Sequence, residues 1–72
     1  MFDLGNHLKT LRKSKEVSQK QTALETNITE RAYQRLEANE RKPSYDTLIS
    51  LADFFDVSLD YLVGRSDVAE RR

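Results

Sequence analysis

Cysteine is absent from this 72-residue chain, and histidine occurs once, at His7. Those shortages exclude a disulfide framework, a zinc finger and a cysteine nucleophile, and leave only carboxylates to ligate a metal. Glycine is almost as scarce. Gly5 and Gly64 stand at opposite ends, so no glycine-rich loop is available to cradle a phosphate. No apolar run approaches the length of a membrane-spanning helix. Met1-Phe2-Asp3 places an acid where a secretory signal carries basic residues, so the expected location is cytoplasmic. At 8.4 kDa there is room for one domain with one small core, which favours a binding module over a catalytic cleft.

Charge is plentiful but balanced. Twelve Lys and Arg meet twelve Asp and Glu, and a net charge of zero by itself argues against a nucleic-acid partner. The distribution argues the other way. Residues 1–42 hold nine basic and six acidic side chains, a net of +3, whereas residues 43–72 hold three and six, a net of −3. Near a surface the field depends on charges within a Debye length of about 10 Å, so one end of the molecule is expected to face a polyanion.

Apolar periodicity reads as helix throughout, with no strand alternation. Leu4, Leu8 and Leu11 give a first amphipathic helix over about 3–15. Ser18 and Gln21 have the spacing of a capping box, in which each side chain satisfies an amide of the other's end, and a second helix follows over about 19–25. Asn27 then breaks the chain, Ile28 plugs the core, and Thr29 caps a third helix from Glu30 to about Ala38. On that helix Tyr33, Leu36 and Glu37 share one side, while Arg31, Gln34, Arg35 and Ala38 share the other. Asn39 and the Glu40–Pro43 loop end it. Ser44 caps a fourth helix striped by Leu48, Leu51, Ala52 and Phe55, and Ser58 caps a short fifth one carrying Leu59, Leu62 and Val63 before Gly64. The reading is all-α: five short helices over residues 1–64, with 65–72 as a flexible tail or linker. His7 is expected at the surface or boundary. Asp53, Asp56 and Asp60 read as helix surface and caps rather than a metal site, and no cofactor is implied.

Leu8, Leu11-Arg12, Ser18-Gln19, Ala23, Ile28, Leu36-Glu37, Arg41, Pro43-Ser44, Thr47-Leu48, Leu51-Ala52 and Val57-Ser58-Leu59-Asp60-Tyr61-Leu62 occur in an order and spacing that resembles a known family. It is the helix-turn-helix domains of lambdoid phage repressors, Cro proteins and related bacterial regulators of the xenobiotic-response-element type. The family favours glycine at three turns where this chain has Asn27, Asn39 and Asp56, the residue types best able to replace it at positive φ. Tyr33 stands where the family is usually aliphatic; its ring is expected to be buried with the hydroxyl near the edge.

The resemblance implies a lambda-repressor-like fold whose helices 2 and 3 form the helix-turn-helix, helix 3 lying in the major groove of DNA. It assigns base reading to Glu30, Arg31, Gln34 and Arg35, and phosphate contacts to Gln19, Thr29, Asn39, Arg41 and Lys42. Glu30 has three open roles: accepting from a cytosine amino group, holding Arg31 or Arg35, or complementing the helix dipole. Arg12 and Glu37 align with a structural ion pair. The implied partner is a near-palindromic double-stranded operator bound by a homodimer, for which Phe54, Tyr61 and Val63 near helix 5 offer apolar area. The implied activity is transcriptional regulation, as a repressor of phage or mobile-element type. A second reading from a different class is a protein-interaction module, such as an antitoxin or a target of an antirepressor. An enzyme is not expected, because no nucleophile, base and orienting group assemble around His7.

Overall fold

In the computed structural model, residues 2–65 and 69 are described, and they contain five helices: α1 (Leu4–Ser14), α2 (Gln19–Glu25), α3 (Glu30–Glu37), α4 (Tyr45–Phe55) and α5 (Leu59–Leu62). No strand occurs among the described residues. The expected bounds hold to within about a residue at each end. Most of the proposed tail, residues 66–68 and 70–72, lies outside the described residues. Ala69 is described, and its carbonyl accepts the Ser58 amide at 2.9 Å.

Each helix starts for the same local reason: a short polar side chain at the N-cap accepts an otherwise orphaned amide. Asp3, Ser18, Thr29, Ser44 and Ser58 accept from Asn6, Gln21, Ala32, Thr47 and Tyr61 respectively. The capping box at Ser18 is only half formed. Gln21 does not reach back; its amide donates to Glu25 at 3.0 Å, one turn onward. Between helices the chain turns at positive φ. Asn27 (62°), Asn39 (60°) and Asp56 (57°) occupy three such turns, and Glu16 (61°) makes a fourth that the sequence does not announce.

Helix α3 is the centre of the packing, lying against both α2 and α1, while α5 closes against α4 and α1. The buried core is Leu8, Ala23, Tyr33, Leu36, Leu51, Ala52, Phe55, Val57 and Leu62. Thr22 and Thr26 are buried on α2 and its cap, and each satisfies its hydroxyl on a backbone carbonyl one turn earlier, at 2.9 and 2.7 Å. Gly5 lets α1 approach the end of α3. A Cβ there would lie 2.3 Å from the Glu37 carbonyl oxygen and 2.8 Å from Asn39 Oδ1, so any side chain would push the helices apart.

Candidate nucleic-acid interface

Helix α3 is eight residues long, about 12 Å at 1.5 Å per residue. Its inner face, Tyr33 and Leu36, is buried; its outer face presents Glu30, Arg31, Gln34 and Arg35 to solvent, with Ala38 just beyond its end. Thr29, at its N-cap, is also exposed. Arg41 and Lys42 follow in the loop to α4, both exposed. None of the four cations Arg31, Arg35, Arg41 and Lys42 is held in an ion pair among the described residues. Glu30 pairs with neither arginine. Instead it accepts from Gln34, whose amide nitrogen lies 3.5 Å from Oε2 one turn along the helix.

Behind this face lies a polar joint that ties three helices together. Arg12 on α1 donates Nε to Glu37 Oε2 at 2.7 Å and Nη2 to Oε1 at 3.4 Å, and its Nη1 donates to the Val17 carbonyl at 3.0 Å. The two side chains are only 14% and 6% exposed, so this is an enclosed, two-pronged pair rather than a surface one. Gln19, first residue of α2, donates Nε2 to the same Glu37 Oε1 at 3.1 Å. Burial pushes the Glu37 carboxyl up, but the donors Arg12 and Gln19, with the Tyr33 hydroxyl alongside, outweigh it and hold the group below its usual range. The same contact, against a smaller opposing effect of burial, raises the Arg12 guanidinium further.

Two site residues sit differently from a simple phosphate-gripping picture. Gln19 is half-buried and engaged by Glu37, as just described. Asn39 has its amide occupied from within: Oδ1 accepts the Gly5 amide at 3.0 Å, and Nδ2 donates to Asp3 Oδ1 at 2.8 Å. Asn39 therefore ties the end of α3 to the start of α1, and Asp3 and Gly5 join the site as its supports. Nothing in the local sequence signals this, because the contacts span 34 and 36 positions. The Tyr33 ring is buried as expected, but its hydroxyl is enclosed with it. The residue is fully enclosed rather than edge-exposed, and burial, with Glu37 alongside, raises its phenol well above the usual value.

Of the apolar area expected near helix 5, Val63 lines an open groove, while Phe54 and Tyr61 are partly covered by neighbours. Phe54 is half-buried, with the Lys15 ammonium 5.1 Å above its ring, and Tyr61 is half-buried against His7, ring centroids 5.0 Å apart. The open apolar surface lies beside them. Phe2, Leu4, Leu36, Pro43, Leu48 and Val63 line a groove of about 660 Å³, with Asp3, Asn39, Arg41 and Lys42 also bordering it. Tyr45 and Ile49, one turn apart on α4, are exposed beyond Leu48.

Among the described residues no helix is long and apolar enough to cross a membrane, and no three His, Asp or Glu side chains cluster to hold a metal ion.

A family model described as helix-turn-helix matches residues 8–62. The chain belongs to the helix-turn-helix family. Among curated relatives of this helix-turn-helix chain, a regulator of Bacillus subtilis (strain 168) named as the uncharacterized HTH-type transcriptional regulator YqaE is 44% identical over 59 residues, 82% of this chain and 51% of its own. The HTH-type transcriptional regulator ImmR of the same organism is 35% identical over 70 residues, 97% of this chain and 55% of its own. The helix-turn-helix chain thus spans about half the length of the curated relatives it matches. Among solved structures, the DNA-binding domain of the P22 C2 repressor superposes with a TM-score of 0.80 at 23% identity, covering 96% of this chain and 99% of that one. At that identity the likeness establishes the shared five-helix fold.

Proposed function

We propose that this helix-turn-helix chain binds double-stranded DNA and regulates transcription as a repressor, in the cytoplasm. Residues 1–64 then form the DNA-binding domain, and 65–72 its tail or linker. The observation that carries the reading is the two-sidedness of α3. Its inner face is bolted down through Tyr33, Leu36 and Glu37, while Arg31, Gln34 and Arg35 stand exposed on its outer face, with Arg41 and Lys42 exposed in the loop beyond, and no ion pair among the described residues claims these cations. Cations without an internal partner are available to phosphates and guanine edges at little cost. Arg31 and Arg35 suit guanine, Gln34 suits adenine, and Glu30, held by Gln34, fixes that amide's orientation or accepts from cytosine. Thr29, Arg41 and Lys42 grip phosphate, and Gln19 joins them at the N-terminus of α2, where helix amides favour an anion.

One short helix reads too few base pairs for strong specificity, so the active species is a homodimer on a near-palindromic operator. The groove beside α5 supports that mode: Phe2, Leu4, Leu36, Pro43, Leu48 and Val63 make most of its lining, an apolar surface that a second copy can cover. Variants at two positions separate base reading from phosphate gripping. Arg35→Ala should cost about 1–3 kcal/mol on a selected operator and relax one base position, whereas Lys42→Ala should weaken all duplexes alike and lower the salt slope by about 1. Unchanged operator binding by Arg35→Ala would remove the base-reading assignment.

A further inference from the structure

Tyr33 carries a polar atom that the rest of the domain does not use. Its side chain is fully enclosed, and among the described residues its hydroxyl has no hydrogen-bond partner. A phenol buried in this way ordinarily finds an acceptor. The candidate acceptor is Glu37, one turn along the same helix, and burial beside that carboxylate keeps the phenol protonated. The hydroxyl is therefore a permanent donor next to a carboxylate that already takes three of its roughly four possible donor contacts from others. Arg12 occupies Oε2 at 2.7 Å, and Gln19, with a longer Arg12 contact, occupies Oε1 at 3.1 Å. Of these donors, Gln19 is the one that DNA would draw away.

We propose that Tyr33 is a positioning residue for phosphate binding: when Gln19 turns its amide from Glu37 to a DNA phosphate, the Tyr33 hydroxyl takes the vacated place on the carboxylate. This rests on the reading of Gln19 as a phosphate ligand. The exchange needs side-chain rotation only, since Tyr33 and Glu37 are one turn apart on α3. It keeps the enclosed carboxylate supplied with donors in both states, so Gln19 leaves without stranding a charge-assisted acceptor. An aliphatic side chain of similar bulk would fill the core and offer no replacement donor.

The test is a double-mutant cycle of Tyr33→Phe and Gln19→Ala, titrated against a selected operator duplex, with thermal melts of each protein. Tyr33→Phe removes one oxygen that makes no bond in the free protein, so its melting temperature should match or exceed the parent's. It should weaken operator binding by about three- to tenfold, the worth of one hydrogen bond, and have no further effect once Gln19 is alanine. Tyr33→Phe binding as tightly as the parent, or weakening both backgrounds equally, overturns the proposal while Gln19→Ala still weakens binding. Gln19→Ala with parental affinity overturns the phosphate reading beneath it and the proposal with it. If Tyr33→Phe does not fold, NMR of the unaltered protein reads the same exchange. On adding duplex, the Gln19 side-chain amide should shift and a Tyr33 hydroxyl proton become observable beside Glu37; an unmoved amide and no hydroxyl signal overturn it.

Discussion

Replacing Arg12 by methionine keeps an apolar stem of similar length and removes the guanidinium. Three hydrogen bonds disappear: two to Glu37, at 2.7 and 3.4 Å, and one to the Val17 carbonyl at 3.0 Å. The stranded carboxylate is only 6% exposed. Breaking a buried pair from one side costs about 3–5 kcal/mol, and because Gln19 remains to donate, the lower end, about 3 kcal/mol, is expected. A domain of this size has a total of roughly 4–10 kcal/mol, so the loss is large enough to measure by urea denaturation followed by circular dichroism. Its pH dependence carries the sign of the argument. In the parent, the Glu37 carboxyl is depressed below 4.5, so its stabilisation is complete above that value and is lost as pH falls through the lower folded one. In the variant burial dominates and the carboxyl is raised, so the penalty should be greatest at pH 7 and shrink toward pH 4 as the group takes up a proton. Adding Glu37→Met should recover most of the loss. A penalty below about 1 kcal/mol at pH 7, the range of an exposed pair, or one independent of pH, would refute the enclosed-joint description.

Three further outcomes follow from geometry elsewhere. His7 lies edge-on between Phe2 and Tyr61, with Nε2 buried and unpartnered among the described residues, and burial depresses its imidazole below 6.5 against the opposing Tyr61 backbone contact. Its contribution to stability is complete above pH 6.5 and lost as pH falls below it, so the melting temperature should drop between pH 7 and 5 and drop less in His7→Gln; an NMR titration placing His7 above 6.5 would contradict this. Gly5→Ala should destabilise by about 2 kcal/mol in denaturant despite alanine's better helix propensity, because its Cβ meets the Glu37 carbonyl. Glu16→Gly should stabilise by about 0.5–1 kcal/mol by relieving a left-handed glutamate, read by the same denaturation.

The helices were legible because their starts are chemically explicit. Ser18, Thr29, Ser44 and Ser58 each stand at the expected cap and accept the expected amide, and Asn27, Asn39 and Asp56 take positive φ because their short polar side chains tolerate it. Glu16 carries no such signal, and its turn went unread. The outer face of α3 was legible for the same local reason: helical spacing puts Arg31, Gln34 and Arg35 opposite Tyr33 and Leu36. What spacing does not encode is what a polar side chain meets across the fold. Asn39 was assigned to phosphate, yet its amide is held by Gly5 and Asp3, and Gln21 looked like half of a capping box while pairing with Glu25. The apolar groove escaped notice because Phe2, Pro43, Leu48 and Val63 come from four separate segments.

Selection of binding sites from random duplex DNA, with footprinting of the winners, tests the role of α3 most directly. The expected result is a near-palindromic site with half-sites about 34 Å apart, bound more weakly as salt rises. If no duplex of any sequence is retained at low ionic strength, α3 does not read DNA.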